Sequence, residues 1–168
     1  MQNVTKVRGS RKRVFLIALF SVCLTPFLVV ALQVQGGKTN LKFQPADLMG
    51  SGSIEGGGQF SFDSFKSQDG VFVQRRVENY ESVGRAHKRL GVMLHDAIKV
   101  IDHGPKRPLQ GTKTGERWKV SFRYAGTEKP VFLVFWQDGD AIYILQSNSL
   151  VHVQALEDWI YPPAERAK

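Results

Sequence analysis

The pattern of apolar and polar positions divides the chain before any motif is sought. From Val14 to Leu32 the sequence runs VFLIALFSVCLTPFLVVAL, 19 residues without a charge. As a helix that stretch spans roughly 28 Å, close to the hydrocarbon thickness of a bilayer. Lys6, Arg8, Arg11, Lys12 and Arg13 abut one end only. This asymmetry predicts a transmembrane or signal-anchor segment over 14–33, a basic cytoplasmic tail over 1–13, and the rest of the chain on the far side. The length favours a retained anchor over a cleaved signal, whose apolar region is shorter. Pro26 and the Val29-Val30-Ala31 stretch keep cleavage open, and with it a secreted or periplasmic product. Cys23 falls inside the apolar run with Val22 before it, where a lipobox wants a small residue, and so is expected as a helix residue.

Residues 34–58 hold seven glycines among 25 positions. Glycine at that density costs much chain entropy and offers little to pack, which predicts a flexible linker. The Gly50-Ser51-Gly52 stretch misses the GxGxxG spacing by one residue and follows no apolar strand, so it does not support a phosphate loop.

A domain is expected over 59–162, with a short tail over 163–168. Phe60–Phe65 and Val71–Val77 flank the turn-like Ser67-Gln-Asp-Gly70, which predicts a hairpin. Val83, Ala86, Leu90, Met93, Leu94, Ala97, Ile98 and Ile101 recur three or four apart. That stripe predicts one helix, capped by Ser82 and stopped at Gly104-Pro105. Trp118, Val120, Phe122 and Tyr124 alternate with Lys119, Ser121 and Arg123, which predicts a strand with one solvated face. Pro130–Trp136 and Ala141–Leu145 flank Asp138-Gly139, a dipeptide suited to a type I′ turn. That turn would pair Trp136 with Ala141 and Phe135 with Ile142. Their near-continuous hydrophobicity predicts central strands covered on both faces. A C-terminal helix from about Leu150 to Trp159 completes the order β-β-α-β-β-β-α, an α+β domain with helices packed on an antiparallel sheet.

Composition adjusts this picture in two places. Of the net charge of +8, the five N-terminal bases carry +5 and leave +3 for everything after them. The basic balance is therefore mainly a topology signal, and it argues poorly for a nucleic-acid-binding body. The single cysteine lies in the apolar segment, so the exported part can form no internal disulfide and must rely on its core.

Candidate chemistry is sparse. His87, His95 and His103 are eight residues apart and drift around a helix instead of sharing the i, i+4 face that metal ligands need. His152 stands apart in the last helix. No serine occupies a GxSxG elbow, and Gly111-Thr-Lys-Thr114 lacks the spacing and the preceding strand of a Walker loop. No cofactor or metal is implied. The one concentrated feature is Lys106, Arg107, Lys113, Arg117, Lys119 and Arg123 against Glu116 alone, a local +5. Such a patch suits lipid headgroups or an anionic polymer by Coulomb attraction, while its plainer reading is a solvated loop. The sequence thus points to a membrane-tethered or exported module that binds a partner or serves an envelope assembly without catalysing a reaction. The alternatives are an exported enzyme with a site around the helix histidines, and a polyanion binder using 106–123.

Overall fold

The computed structural model describes residues 41–163, apart from 56, 109 and 112–114. The expected anchor over 14–33 lies outside these residues, as do Lys113 and residues 164–168. Among the described residues no helix is long and apolar enough to cross a membrane.

Seven strands form one antiparallel sheet, with β1 Phe43–Ser53, β2 Gly58–Ser67, β3 Phe72–Tyr80, β4 Lys99–Pro105, β5 Glu116–Phe122, β6 Val131–Asp138 and β7 Ala141–Ser147. Helix α1, Val83–His95, joins β3 to β4, and α2, Leu150–Ile160, follows β7. The spatial order is β1-β2-β3-β7-β6-β5-β4. The chain thus lays down one meander, crosses to the far edge through α1, and walks back until β7 pairs with β3. The α+β class and the antiparallel sheet agree with the pattern, and two strands are added to it.

The first addition is β1, placed where glycine density predicts a linker. Gly50 pairs with Phe62 and Gly52 with Phe60. A Cβ at Gly50 would stand 2.7 Å from the Phe62 ring, and one at Gly52 would stand 2.9 Å from the Phe60 ring. These glycines leave room for aromatic rings to lie across the edge strand, a packing role that resembles a linker in composition alone. Pro45 and a register shift between Ala46 and Met49 interrupt the edge, as edge strands commonly require.

The second addition is β4. The helix starts as expected, with the Arg85 N–H donating to Ser82 Oγ at 3.3 Å, and buries Ala86 and Met93. It ends at His95, not at Gly104. Beyond it the Ile98 N–H donates to the Ser121 carbonyl at 2.9 Å and Lys99 pairs with Ser121, so residues 99–105 become a strand on β5. Ile98, Val100 and Ile101 around Lys99 are compatible with either period, and the unpaired edge of β5 decides between them.

The β6–β7 hairpin is present with its register moved by two. Asp138 pairs with Ala141 and Trp136 with Tyr143. The two loop residues are Gly139, at φ +61°, and Asp140. A shift of two keeps every side chain on its expected face. Both faces are covered. Phe43, Phe65, Val73, Val134, Trp136 and Leu145 pack with Val153 and Leu156 of α2. Val120, Leu133, Phe135, Ile142 and Ile144 pack with Ala86 and Met93 of α1 on the other face.

Candidate functional site

Four cations of the basic segment, Lys106, Arg107, Arg117 and Lys119, meet acids. On β5 the alternation places Arg117, Lys119 and Ser121 opposite Val120, as expected, yet all three are buried instead of solvated. The reason is α2, which presents Glu157, itself wholly buried, to that face. Arg117 grips both Glu157 oxygens, with Nη2 2.6 Å from Oε2 and Nε on Oε1. Its Nη1 donates to Asp102 at 3.2 Å, and Lys119 Nζ lies 3.4 Å from the same carboxylate. Arg107 bridges Asp158 at 2.7 Å, the Tyr161 carbonyl at 2.9 Å and Glu157 at 3.2 Å. The Gln110 amide donates to Glu157 at 2.7 Å. Lys106 reaches Asp138 and the Gln137 carbonyl, each at 3.1 Å.

Four of the six cations singled out by spacing therefore face carboxylates from β4, β6 and α2. Arg123 is exposed beyond the end of β5, and Lys113 is not among the described residues. Burial pulls the Arg117 pKa down, but Glu157 and Asp102 outweigh it and the pKa is raised. Burial likewise pushes Asp102 up, and Arg117 and Lys119 bring it below its ordinary value. Sequence proximity drew these cations together; their acidic partners, up to 51 residues away, carry no local signal.

The histidines separate. His87 and His95 are exposed on α1. His103 lies on β4, its ring 3.9 Å from that of Trp118 and its Nε2 3.2 Å from Glu116. His152 is the one with a built environment. Its Nδ1 is 2.6 Å from Ser149 Oγ and its Nε2 is 2.9 Å from Asp69, across 83 residues of sequence. Ser67 also donates to Asp69. The Ser67 hydroxyl and then His152 hold the Asp69 carboxyl below its ordinary value. This chain ties the β2–β3 turn to the start of α2. Among the described residues no group of three or more His, Cys, Asp or Glu side chains could hold a metal.

The α1 face holds a third polar cluster with a different charge balance. Glu78 on β3 is 1% exposed. The Tyr80 hydroxyl donates to it at 2.7 Å, Arg89 Nε of α1 donates at 3.3 Å, and Arg76 Nη2 lies 2.9 Å from its other oxygen. Two guanidinium groups share one carboxylate, which leaves one positive charge in surplus. The Arg76 guanidinium sits 4.1 Å over the Phe60 ring, a cation–π geometry. Its buried Nε has no hydrogen-bond partner among the described residues. Phe60 and Phe62 are stacked with centroids 6.5 Å apart.

Tyr124 donates to Gln146 at 3.1 Å, and the Gln146 amide donates to Gln74 at 2.6 Å. Burial raises the Tyr124 pKa, and the charges of Arg76 and Arg89 oppose that rise. Spacing alone does not connect Glu78 to Arg89 and does not reveal this site. Its only sequence trace is Arg-Arg-Val-Glu at 75–78, where alternation puts Arg76 and Glu78 on one face.

No family model matches the sequence, and neither curated proteins nor solved structures provide a match.

Proposed function

We propose that this chain is a membrane-tethered or exported binding module, held through residues 14–33, that receives an anionic partner on the α1 face of its sheet without catalysing a reaction. One observation carries the reading. Lys106, Arg107, Arg117 and Lys119 face four carboxylates, Asp138, Asp158, Glu157 and Asp102, whereas Arg76 and Arg89 divide a single one. A half-buried surplus cation in reach of solvent attracts an anion more strongly than a matched pair does. The surroundings suit recognition: aromatic rings on one side, a tyrosine hydroxyl and two glutamine amides on the other.

The test uses the full chain in a non-ionic detergent. Salt-sensitive retention on a carboxylate-bearing surface, lost when Arg76 and Arg89 are both replaced by Gln, is the expected result. Equal retention of that double variant overturns the reading. Extraction of the chain from cells without detergent, with its N-terminus intact, overturns the tether. The polyanion reading of 106–123 predicts that retention depends on Lys113 and Arg123 instead.

The exported-enzyme reading is favoured by a single arrangement, Ser149–His152–Asp69, in which a hydroxyl, an imidazole and a carboxylate are in hydrogen-bond reach. It predicts hydrolysis of an activated ester that disappears in Ser149→Ala.

A further inference from the structure

The geometry points to a more specific ligand for the α1 face: we infer that it binds a monocarboxylate carried on an aromatic or similarly flat apolar body. This inference rests on the binding-module reading and narrows it.

Charge sets the first limit. Arg76, Arg89 and Glu78 sum to one positive charge, and Glu78 stays at the back of the cluster. A monoanion neutralises that surplus, whereas a dianion would bring excess negative charge against the buried Glu78. Donor geometry sets the second. Arg89 meets Glu78 through Nε and Arg76 through Nη2. A guanidinium has five N–H donors in a planar fork, so each keeps terminal N–H groups that Glu78 does not use. These side chains are 37% and 29% exposed, which leaves an incoming carboxylate a route to them.

The apolar body follows from the neighbouring glycines. Phe62 pairs with both Gly50 and Arg76, and Phe60 with Gly52. Because β1 contributes no side chain at those two positions, the half-buried rings themselves form the surface beside Arg76. Arg76 already lies over Phe60. A flat apolar group resting along Phe62 would place its carboxylate toward Arg76 and Arg89. The same chemistry could be a free aromatic acid or the terminal carboxylate of a peptide ending in an aromatic residue.

The probe is hydrocinnamate, titrated into the full chain in non-ionic detergent and followed calorimetrically. Its neutral amide, acetate, inorganic phosphate and a tripeptide ending in phenylalanine are titrated beside it. Charge-assisted hydrogen bonds predict hydrocinnamate at least about tenfold tighter than the amide. Burial of the ring predicts it at least about tenfold tighter than acetate. Arg89→Gln is expected to abolish the first difference and Phe62→Ser to reduce the second, while Arg85→Gln changes neither.

Comparison of the probes on the unaltered chain decides the matter even if a variant fails to fold. Hydrocinnamate binding no tighter than its amide overturns the inference, as does phosphate binding tighter than hydrocinnamate. Equal affinity for acetate and hydrocinnamate, with arginine-dependent retention intact, removes the apolar body and leaves the anion-binding module standing. Preference for the tripeptide over the free acid identifies the peptide source.

Discussion

Arg117 and Glu157 form a buried, two-point ion pair between β5 and α2, with the guanidinium facing both carboxylate oxygens across 40 residues of sequence. The pair is the hub of the polar layer under α2, because Glu157 also takes Gln110 and Arg107 while Arg117 also takes Asp102. Its energetic consequence lies less in the attraction than in what remains if one partner is removed.

Glu157→Ala is therefore expected to destabilise the fold by about 3 kcal/mol, since it takes the two-point partner from a buried guanidinium and leaves it only Asp102. Replacing Arg117 and Glu157 together by Leu should cost much less than the single change. Urea unfolding of the three variants measures this. Equal losses in the single and double variants would show that packing, not the stranded charge, sets the cost.

Stability should fall on acidification. Asp69 and Asp102 both have lowered pKa values in the folded protein, so they bind protons less readily there than in the unfolded chain. The stability they contribute is present above the ordinary carboxylate value of about 3.9 and is lost as the pH falls below it toward the folded values. The midpoint of urea unfolding, followed between neutral pH and pH about 3, should decrease through that window. Asp102→Asn should flatten the decrease.

Gly50→Val should destabilise β1 by about 1–3 kcal/mol, because the new Cβ would overlap the Phe62 ring. Combining it with Phe62→Ala should recover part of the loss. Hydrogen exchange at the β1–β2 ladder is the direct readout, and a linker-like segment would show no such coupling.

The Ser149–His152–Asp69 chain predicts coupling between the β2–β3 turn and α2. Ser149→Ala should cost about 0.5–1.5 kcal/mol for the lost hydrogen bond. Asp69→Asn and His152→Gln should be non-additive in a double-mutant cycle, because the two side chains are in direct contact. Additive effects would show that the contact carries no energy.

Period and turn chemistry located most of the elements, and did so for reasons contained in short windows. Ser82 with the stripe from Val83 to Leu94 is enough to start α1. Ser67–Gly70 is enough to turn β2 into β3. The continuous apolar run of β6 is enough to require cover on both sides, which α1 and α2 supply. The register at Gly139-Asp140 was less legible, because two adjacent dipeptides both satisfy a tight turn and only the pairing of whole strands chooses between them.

The candidate site was largely illegible for a related reason. Arg76 and Glu78 share a face by simple alternation, but Arg89 arrives from α1 and Tyr124 from beyond β5, and no spacing rule connects them. The basic segment was the reverse case. Six cations close in sequence were conspicuous, while the partners of the four now placed were scattered over Asp102, Asp138, Glu157 and Asp158.

Local sequence settles where this chain can turn, cap a helix or alternate, because those preferences act over a few residues. Which strand takes each edge, whether 99–105 extends α1 or pairs with β5, and which acid neutralises each base are long-range choices. They depend on groups tens of residues apart being buried together, and burial is what makes an unmatched charge or an unpaired backbone costly enough to decide them.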